Sequence, residues 1–456
     1  MNQESKAAER SDVILCLAVS LPVLASFLFV SFYNHPIGDD FWCTAMVRKY
    51  GFWRAQSELY DIVPPRYLEL AVSCLAPLSF GKFFGYKIIP IFSILLLIYV
   101  MAGLLKTLTG TAYRNTVLAS TVFVTLFLCV VPGLAEGIYW VSALAVYYLG
   151  MVLFVIWCNY LLKWYHKERK PYYSLVVCLC LAGIFGCNEL ISTIVLAVLC
   201  VVFLERVISR KGGIDGLLLV QFFVAIVCLY FVFQYKGTGN RYSLLKNRGS
   251  GRLFYSIGHA LMLDGYYICR ALINPFFWAI ALPGYGIFRR LVSGAVLLPE
   301  IFRYRLYFFI TWVFIMVFIP FSMFYLTGAY CPLRVSNMII FFFLMGLVWA
   351  AAIVVQGKFK AKLNFSGRIL IPAVCLLVLA GVILPNNVSK VARDLYSGSA
   401  REYDKAWDKR IELIRQCKAD SCIVPHYRQI PFAFKFEPDA EEPRISEYFN
   451  RTIIVR

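Results

Sequence analysis

Charged residues are scarce in this sequence of 456 residues, where Asp, Glu, Lys and Arg together make up 16%. Soluble globular chains carry about 25% charged residues, so the deficit argues against that class. Repeats and low-complexity segments are also lacking, and the composition excludes a disordered chain, a collagen and a coiled coil. The four histidines lie far apart and the 15 cysteines include no CxxC pair. Neither a His-based metal site nor a zinc site is therefore expected.

Hydrophobic residues, in contrast, make up 60% of the chain and aromatic residues 17%, and the mean hydropathy is +0.70. These values predict a polytopic membrane protein. The formal net charge of +19 is a value often found in nucleic-acid-binding proteins. Here, however, Lys and Arg lie mostly in short loops between apolar runs, where they set membrane orientation. No nucleic-acid partner is therefore expected.

The apolar runs predict an all-α fold with about eleven transmembrane helices. The first run, Val13–Tyr33, is not followed by a small-residue cleavage site, so we expect an uncleaved anchor. The other predicted spans are Lys87–Leu105, Thr116–Val131, Ser142–Leu162, Tyr172–Cys187, Leu190–Leu204, Gly216–Gln234, Tyr266–Ile287, Tyr304–Leu326, Val335–Val355 and Ile369–Leu384.

A shorter apolar segment, Tyr67–Phe80, decides the predicted orientation. It has about fourteen residues and contains Glu69, which suits an interfacial helix better than a span. If it does not cross, the Lys and Arg clusters of the short loops share one side with Lys6 and Arg10, as the positive-inside rule requires. We therefore expect a multi-pass protein of the cell inner (plasma) membrane with a cytoplasmic N-terminus.

This orientation puts three large pieces on the exterior side. Two are loops, 34–86 and 235–265, within a predicted transmembrane domain of residues 1–385. The third, 386–456, is a tail predicted to form a small α+β periplasmic or extracellular domain. Its predicted elements are a helix over Ala400–Lys418 and strands over Ser421–Val424, Phe432–Phe436 and Thr452–Val455. Cys417 and Cys422 either form a local disulfide or remain two free thiols.

Acidic residues near the exterior face are candidates for chemistry. Asp39 and Asp40 follow the first span directly, where a carboxylate can work as a general base. An alternative of equal weight is that Asp40 caps, and Asp39 stabilises, a helix predicted over Phe41–Trp53. Glu136 and Glu189 lie in short exterior loops, where an acid is costly and suggests a functional site. The alternative for both is a carboxylate that reaches the headgroups or is satisfied by an Arg.

Exterior cations complement these acids. Arg334 is the only charge in its loop, and Arg241 belongs to a Lys/Arg cluster in the second large loop, against the positive-inside trend. Forked hydrogen bonds from Arg suit a lipid phosphate, although a solvated or headgroup-paired loop is the alternative. The exterior acids could also hold a hard divalent cation, but no spacing fixes that geometry, and no cofactor is predicted with certainty.

The layout resembles the GT-C superfamily of integral-membrane glycosyltransferases, which use polyprenyl- or dolichyl-phosphate-linked sugars. Members have an anchor helix, a long exterior loop with an early acid, interfacial helices after a Pro-Pro element, and a second large exterior loop after the seventh span. The corresponding elements here are Asp39-Asp40, Pro64-Pro65-Arg66 and the 235–265 loop. The stretch EGIYWVSALAVY, from Glu136 to Tyr147, is similar to a motif of a little-characterised bacterial branch.

The resemblance implies an enzyme that moves a sugar from a polyprenyl-phosphate carrier to a glycan or lipid acceptor by a base-assisted single displacement. It implies Asp39 or Asp40 as the base, Glu136 as a second exterior acid and Arg334 as the cation that holds the phosphate. The predicted substrate-binding set is completed by Arg66, which stands where better-known members have Leu, and by Trp140, Tyr147, Glu189 and Arg241. The alternatives are a transporter or flippase, or a polymerase or ligase, of lipid-linked glycans.

Overall fold

The computed structural model describes residues 3–166, 168–209, 215–245, 251–293, 295, 305–328, 331–356, 367–435 and 441–455. Nearly all of their regular structure is helical. Among these residues, eight helices are long and apolar enough to cross a membrane, or up to ten if each of two bent pairs forms one span. The predicted all-α polytopic architecture is confirmed at this level.

The helices are numbered here in chain order. The first eight are α1 (Gln3–Val30), α2 (Asp39–Tyr50), α3 (Phe52–Ile62), α4 (Tyr67–Cys74), α5 (Gly85–Thr109), α6 (Tyr113–Val130), α7 (Leu149–His166) and α8 (Pro171–Phe185). The next eight are α9 (Glu189–Ser209), α10 (Gly216–Phe233), α11 (Lys236–Leu245), α12 (Leu253–Ile273), α13 (Pro275–Ser293), α14 (Arg305–Thr327), α15 (Leu333–Gln356) and α16 (Gly367–Ile383).

The predicted span Tyr266–Ile287 is broken within its length, and whether the bent pair crosses the membrane as one span stays a prediction. Helices α12 and α13 meet at Asn274 with a bend of 73°. Pro275 causes the break, since its ring disfavours the helical conformation of the preceding residue. Asn274 satisfies the broken end: its Oδ1 accepts a hydrogen bond from the Phe276 amide at 3.0 Å and its Nδ2 donates to the Cys129 carbonyl at 3.0 Å.

Helix α12 packs against α14 and is bent by 73° from α13. At its start, the Gly251 amide donates to the Tyr325 carbonyl near the end of α14, and after its last residue Asn274 bonds the end of α6. The segments that follow α6 and α14 are themselves joined by an ion pair between Glu136 and Arg334. Both ends of α12 are therefore on the same side, which the single predicted span did not foresee.

Two apolar helices are too short to span by themselves. The predicted span Tyr172–Cys187 corresponds to α8, which has 15 residues, fewer than the roughly 20 needed to cross a membrane. That this segment forms a span therefore stays a prediction. The predicted interfacial segment Tyr67–Phe80 consists of α4 and a 3-10 turn over Pro77–Phe80. This segment is among the short apolar helices, as the sequence predicted, and not among the candidate spans.

The segment predicted to be the first exterior loop, 34–86, which keeps that name below, contains two helices where the sequence predicted one over Phe41–Trp53. Gly51 divides α2 from α3 with a φ of +74°, a conformation that favours glycine. The prediction that Asp40 is the N-cap is also wrong, because α2 already begins at Asp39 and its N-cap is Gly38, with a φ of +47°. Asp40 instead lies in the first turn, where its Oδ2 accepts a hydrogen bond from the Ile37 amide at 2.9 Å.

The tail contains three further helices and a two-stranded parallel sheet. Its elements are α17 (Asn387–Tyr396), α18 (Ser399–Gln416), β1 (Ser421–Val424), a 3-10 turn (Phe432–Phe434), α19 (Glu441–Phe449) and β2 (Thr452–Val455). Ser421 of β1 pairs with Thr452 of β2, and the register runs on to Val424 and Val455. Cys417 and Cys422 form a disulfide.

The strand predicted over Phe432–Phe436 is wrong as far as the structure describes it, because Phe432–Phe434 form the 3-10 turn. Ala433 and Phe434 are both buried, whereas consecutive residues of a strand with one buried face would alternate between buried and exposed. Phe434 contacts the ring of Tyr139 in the membrane part, with a centroid separation of 5.5 Å. Contact with the helical bundle thus fixes the turn.

The tail is attached to the first exterior loop by an aromatic and ionic cluster. Trp407 of α18 stacks on His35, with ring centroids 4.0 Å apart. Asp404 Oδ1 lies 2.9 Å from His35 Nε2 and 2.6 Å from Lys87 Nζ. The guanidinium of Arg48 in α2 lies over the ring of Tyr448 in α19. These contacts put the tail and the first loop on the same face of the molecule.

Replacing Trp407 by Ala should loosen the tail, since the loss of a buried Trp side chain costs about 3–5 kcal/mol. We expect faster amide hydrogen exchange over Ser399–Gln416, measured by mass spectrometry in detergent. Tyr396→Ala is the matched control, because that aromatic side chain is 96% exposed. Wild-type protection of α18 in Trp407→Ala would contradict the proposed role of the stack.

Candidate active site

A recess of about 120 Å³ opens between the first exterior loop, the segment that follows α6, and the start of α15. Five residues predicted from the sequence line it: Asp39, Arg66, Trp140, Tyr147 and Arg334. The remaining lining residues are Trp42, Cys43, Val63, Pro64, Glu69, Leu70, Ser142, Ala143 and Val146. Residues far apart in the sequence therefore meet at one recess.

Asp40 lies behind the recess and is only 1% exposed. Its Oδ1 accepts hydrogen bonds from the Ser142 amide at 2.9 Å and the Ser142 hydroxyl at 2.6 Å, while Oδ2 accepts from Ile37. Burial raises the pKa of Asp40 to about 7, against the lowering effect of these donors. Because both oxygens are occupied, Asp40 fixes the start of α2 to the 141–143 turn and is poorly placed to accept a substrate proton.

Asp39 has the opposite surroundings. Its side chain is 44% exposed and lies on the wall of the recess. The nearest cation is Arg444 of α19, whose Nη2 lies 3.9 Å from Asp39 Oδ1 and whose guanidinium lies over the ring of Trp42 at 4.5 Å. Of the two adjacent carboxylates, Asp39 is therefore the one that a substrate hydroxyl can reach.

Arg66 enters the recess from the start of α4 and is held by Glu189. Its Nε donates to Glu189 Oε1 at 3.0 Å and its Nη2 to Oε2 at 2.9 Å, a forked arrangement. Glu189 is thus satisfied by an Arg, one of the alternatives left open by the sequence. It does not line the recess, and its contribution is to orient Arg66.

Close backbone contact with the end of α8 positions Arg66. The amides of Leu68 and Glu69 both donate to the Gly186 carbonyl at 3.0 Å. A Cβ at Gly186 would lie 2.4 Å from the Tyr67 ring, so only glycine permits the approach. The Tyr67 hydroxyl also donates to the Ala182 carbonyl. The start of α4 is therefore fixed beside the start of α9, which carries Glu189.

Arg334 is held on the opposite wall by Glu136. Its Nη1 donates to Glu136 Oε2 at 3.2 Å, and its backbone amide lies 3.3 Å from the same oxygen. The guanidinium also lies 5.6 Å from the centre of the Trp140 ring. Glu136 is buried, whereas the Glu189 side chain is 44% exposed, and neither acid lines the recess. The two predicted exterior acids therefore form ion pairs with the two predicted cations.

Two glycines allow the helix that carries Arg334 to approach this closely. Asn337 and Gly133 exchange two hydrogen bonds of 2.8 Å, one through each side-chain amide atom. A Cβ at Gly137 would lie 2.1 Å from Asn337 Nδ2, and one at Gly133 would lie 2.6 Å from the Cβ of Leu333. Larger residues at either position would move Arg334 away from Glu136.

The segment before α7 is irregular where it forms the recess. Ala135–Tyr139 and Leu144–Tyr148 are π-helical turns, on either side of the single α-helical turn Val141–Ala143. A π-turn inserts a residue into a helix and is frequent at functional sites. Trp140, Ser142 and Tyr147, which lie within or between these wider turns, all line the same recess.

Glu69 is a recess residue that the sequence reasoning did not assign to the site. It is 7% exposed, and its Oε1 accepts a hydrogen bond from the Ser73 hydroxyl at 3.1 Å. Burial raises the pKa of Glu69 to about 7, and the positive charge of Arg66 partly opposes this. The sequence did contain a signal for Glu69, because an acid in a short apolar segment is unusual. There, however, Glu69 indicated only that the segment is an interfacial helix rather than a span.

The structure does not describe every side chain that the sequence assigned to the site. Arg241 falls in α11, and its side chain is outside the described part of the structure, as are Lys246 and Arg248. Helix α11 nevertheless contacts the first loop, because Asn240 Nδ2 donates to the Asp61 carbonyl at 2.9 Å. Over the ranges described above, no three His, Cys, Asp or Glu residues converge in a way that could hold a metal ion.

The recess thus combines one accessible carboxylate, one buried carboxylate with a raised pKa, and two oriented guanidinium groups. A carboxylate can accept a proton, and guanidinium groups can bind and stabilise an anion such as phosphate. The aromatic rings of Trp42, Trp140 and Tyr147 supply apolar faces beside them. No family model matches this chain, and no curated protein matches it.

The raised pKa of Glu69 predicts a pH-dependent stability. Its folded pKa of about 7 exceeds the value of about 4.3 for an unfolded Glu, so its contribution is complete below pH 4 and is lost as the pH rises through 7. Glu69→Gln should therefore flatten the fall in Tm between pH 5 and pH 8. Intrinsic fluorescence in detergent would measure this, with Glu58→Gln, at a surface ion pair, as control. An equal slope in Glu69→Gln and wild type would contradict the prediction.

Proposed function

We propose that the chain is a GT-C-like membrane glycosyltransferase. It would move a sugar from a polyprenyl-phosphate carrier to a glycan or lipid acceptor on the non-cytoplasmic face. The observation that carries this proposal is the meeting of the accessible carboxylate of Asp39 with the guanidinium groups of Arg66 and Arg334 in one recess. A base and an anion-binding pair are the two elements that displacement of a lipid phosphate requires.

In the proposed mechanism, Asp39 takes the proton of an acceptor hydroxyl. The acceptor oxygen attacks the anomeric carbon as the bond from that carbon to the phosphate oxygen breaks, with inversion of configuration. The electron pair leaves with the phosphate, whose negative charge Arg66 and Arg334 stabilise. Their orientation by Glu189 and Glu136 reduces the reorganisation needed as this charge develops. No step requires a metal ion or a further reactant.

Asp40 is assigned a positioning role, because both of its carboxylate oxygens already accept hydrogen bonds. The bond to Ser142 joins the helix that carries Asp39 to the turn between Trp140 and Tyr147. The greater accessibility of Asp39 supports it over Asp40 as the proposed base, a choice that the sequence left open.

The proposed orientation has a cytoplasmic N-terminus in the inner membrane. The Lys and Arg clusters of the short loops support it through the positive-inside rule. The contact of the tail with the first loop through Asp404 and Trp407 supports a common exterior location for both. The Cys417–Cys422 disulfide also suits an oxidising exterior compartment.

A flippase or transporter of lipid-linked glycans is the second candidate. It is favoured by the two bent helix pairs, since broken helices often form the substrate sites of transporters. Neither break, however, contributes a residue to the recess that contains Asp39 and the two Arg side chains. The transferase proposal therefore accounts for more of the charged side chains at the recess. A polymerase or ligase of lipid-linked glycans would use the same kind of lipid-linked sugar donor.

The proposal predicts that Asp39→Asn abolishes transfer without unfolding the protein. With a panel of polyprenyl-phosphate hexoses, purified wild type should release polyprenyl phosphate, and Asp39→Asn should be slower by about 10²–10⁴-fold. Its Tm should stay near the wild-type value because the side chain is accessible. Asp40→Asn should instead lower the Tm, because the side-chain NH2 group of Asn would face a hydrogen-bond donor, either the Ile37 amide or Ser142.

Asp61→Asn, an exposed change in the same loop, is the control and should be fully active. Full activity of Asp39→Asn would remove the proposed base. Movement of the same lipid-linked sugars across liposome membranes without any release of polyprenyl phosphate would favour the flippase.

A further inference from the structure

A second cavity, of about 420 Å³, lies where the two bent helix pairs meet. One pair breaks at Asn274, between α12 and α13, and the other between α16 and α17, with a bend of 63°. The cavity is lined by residues from both breaks and from the end of α6, and it shares no lining residue with the recess that contains Asp39. The lining residues are Cys129, Val130, Tyr266, Cys269, Arg270, Ile273, Asn274, Pro275, Leu384, Pro385, Asn386 and Asn387.

Three asparagines at the breaks donate hydrogen bonds to backbone carbonyls at the ends of α6 and α16. Asn274 donates to the Cys129 carbonyl, Asn386 to the Gly381 and Leu384 carbonyls, and Asn387 to the Leu128 and Val131 carbonyls. Within a membrane, the backbone groups at a helix break need hydrogen-bond partners inside the protein, because the hydrocarbon core supplies none. These side-chain amides are therefore committed to the fold, and the remaining polar group with a full charge in the lining is Arg270.

Arg270 belongs to a local concentration of positive charge. Lys390 lies on α17 three residues after Asn387, which lines the cavity, so both are on the same side of that helix, and its ammonium lies 4.5 Å from the centre of the Phe432 ring. Burial, and then the positive charges of Arg270 and Lys435, lower the pKa of Lys390. Arg270, Lys390 and Lys435 make no ion pair with any acidic side chain in the part of the chain that the structure describes. Like charges brought together without an acid cost free energy unless an anion binds.

The rest of the cavity is apolar and continues onto the outside of the helical bundle. Ile273 is 76% exposed and Leu384 is 49% exposed, and both line the cavity beside Tyr266. Exposed apolar side chains of this kind suit contact with acyl chains in a protein that spans a membrane. A ligand that fits must therefore carry an anionic group at one end and hydrocarbon at the other.

We propose that this cavity binds an anionic glycerophospholipid. Its phosphate lies against Arg270 and Lys390, and an acyl chain covers Tyr266, Ile273 and Leu384. The bound lipid joins the two broken helices and so steadies the face that carries the tail. The site is independent of the proposed transferase activity, because none of its residues line the recess. A membrane phospholipid is favoured over the carrier lipid, whose sugar would have to lie beside Asp39.

The test is a lipid titration of the purified full chain by native mass spectrometry, with phosphatidylglycerol and phosphatidylcholine as probes. We expect phosphatidylglycerol to bind at least about tenfold more tightly than phosphatidylcholine. The double variant Arg270→Gln with Lys390→Gln should lose that preference. The matched control, Arg401→Gln with Lys409→Gln, removes two exposed charges of the same types from α18 and should keep it.

A second measurement covers the case in which the double variant folds poorly. Phosphatidylglycerol should raise the wild-type Tm, and Arg270→Lys should keep most of this rise while Arg270→Gln loses it. Equal binding of the two phospholipids, or full preference in the double variant, would overturn the proposal. So would an equal rise in Tm with inorganic phosphate, or displacement of phosphatidylglycerol by stoichiometric decaprenyl phosphate.

Discussion

The free-energy cost of removing an uncompensated charge from water governs the arrangement of the candidate site. An ionisable side chain removed from water must gain hydrogen bonds or an opposite charge, or it will not stay ionised. Arg66 meets this requirement through Glu189, Arg334 through Glu136, and Asp40 through Ser142 and Ile37. Asp39 meets it differently, through partial exposure. In the proposed mechanism, this difference between adjacent carboxylates distinguishes the positioning group, Asp40, from the base, Asp39.

Those pairs form only because the backbone allows very close approach at a few points. Gly186 lets the Tyr67 ring lie on the end of α8, and Gly133 and Gly137 let Asn337 and Leu333 lie against the segment that follows α6. Each contact brings one Arg beside its acid. The irregular turns on either side of Val141–Ala143 then present aromatic side chains to the same recess. Close packing and charge compensation are therefore parts of one arrangement.

The surroundings of the recess are assembled from separate parts of the chain in the same way. The tail contacts His35 and Lys87 through Trp407 and Asp404, and α19 brings Arg444 beside Asp39. At the two helix breaks, Asn274, Asn386 and Asn387 donate hydrogen bonds to backbone carbonyls. A second charged cavity arises at those breaks, apart from the first.

Much of this could be predicted from the sequence, because hydrophobic periodicity and charge distribution act locally. The apolar runs indicated a polytopic helical protein, and of the acids and cations that the sequence singled out, Asp39, Arg66 and Arg334 line the same recess. The local signals failed where long-range contacts decide. Pro275 divides a run that looked continuous, Phe432–Phe434 turn against Tyr139, and Glu69 becomes a site residue only beside Arg66. Which acid pairs with which cation was likewise decided by tertiary structure alone, because those partners lie 123 and 198 residues apart in the chain and no local rule relates them.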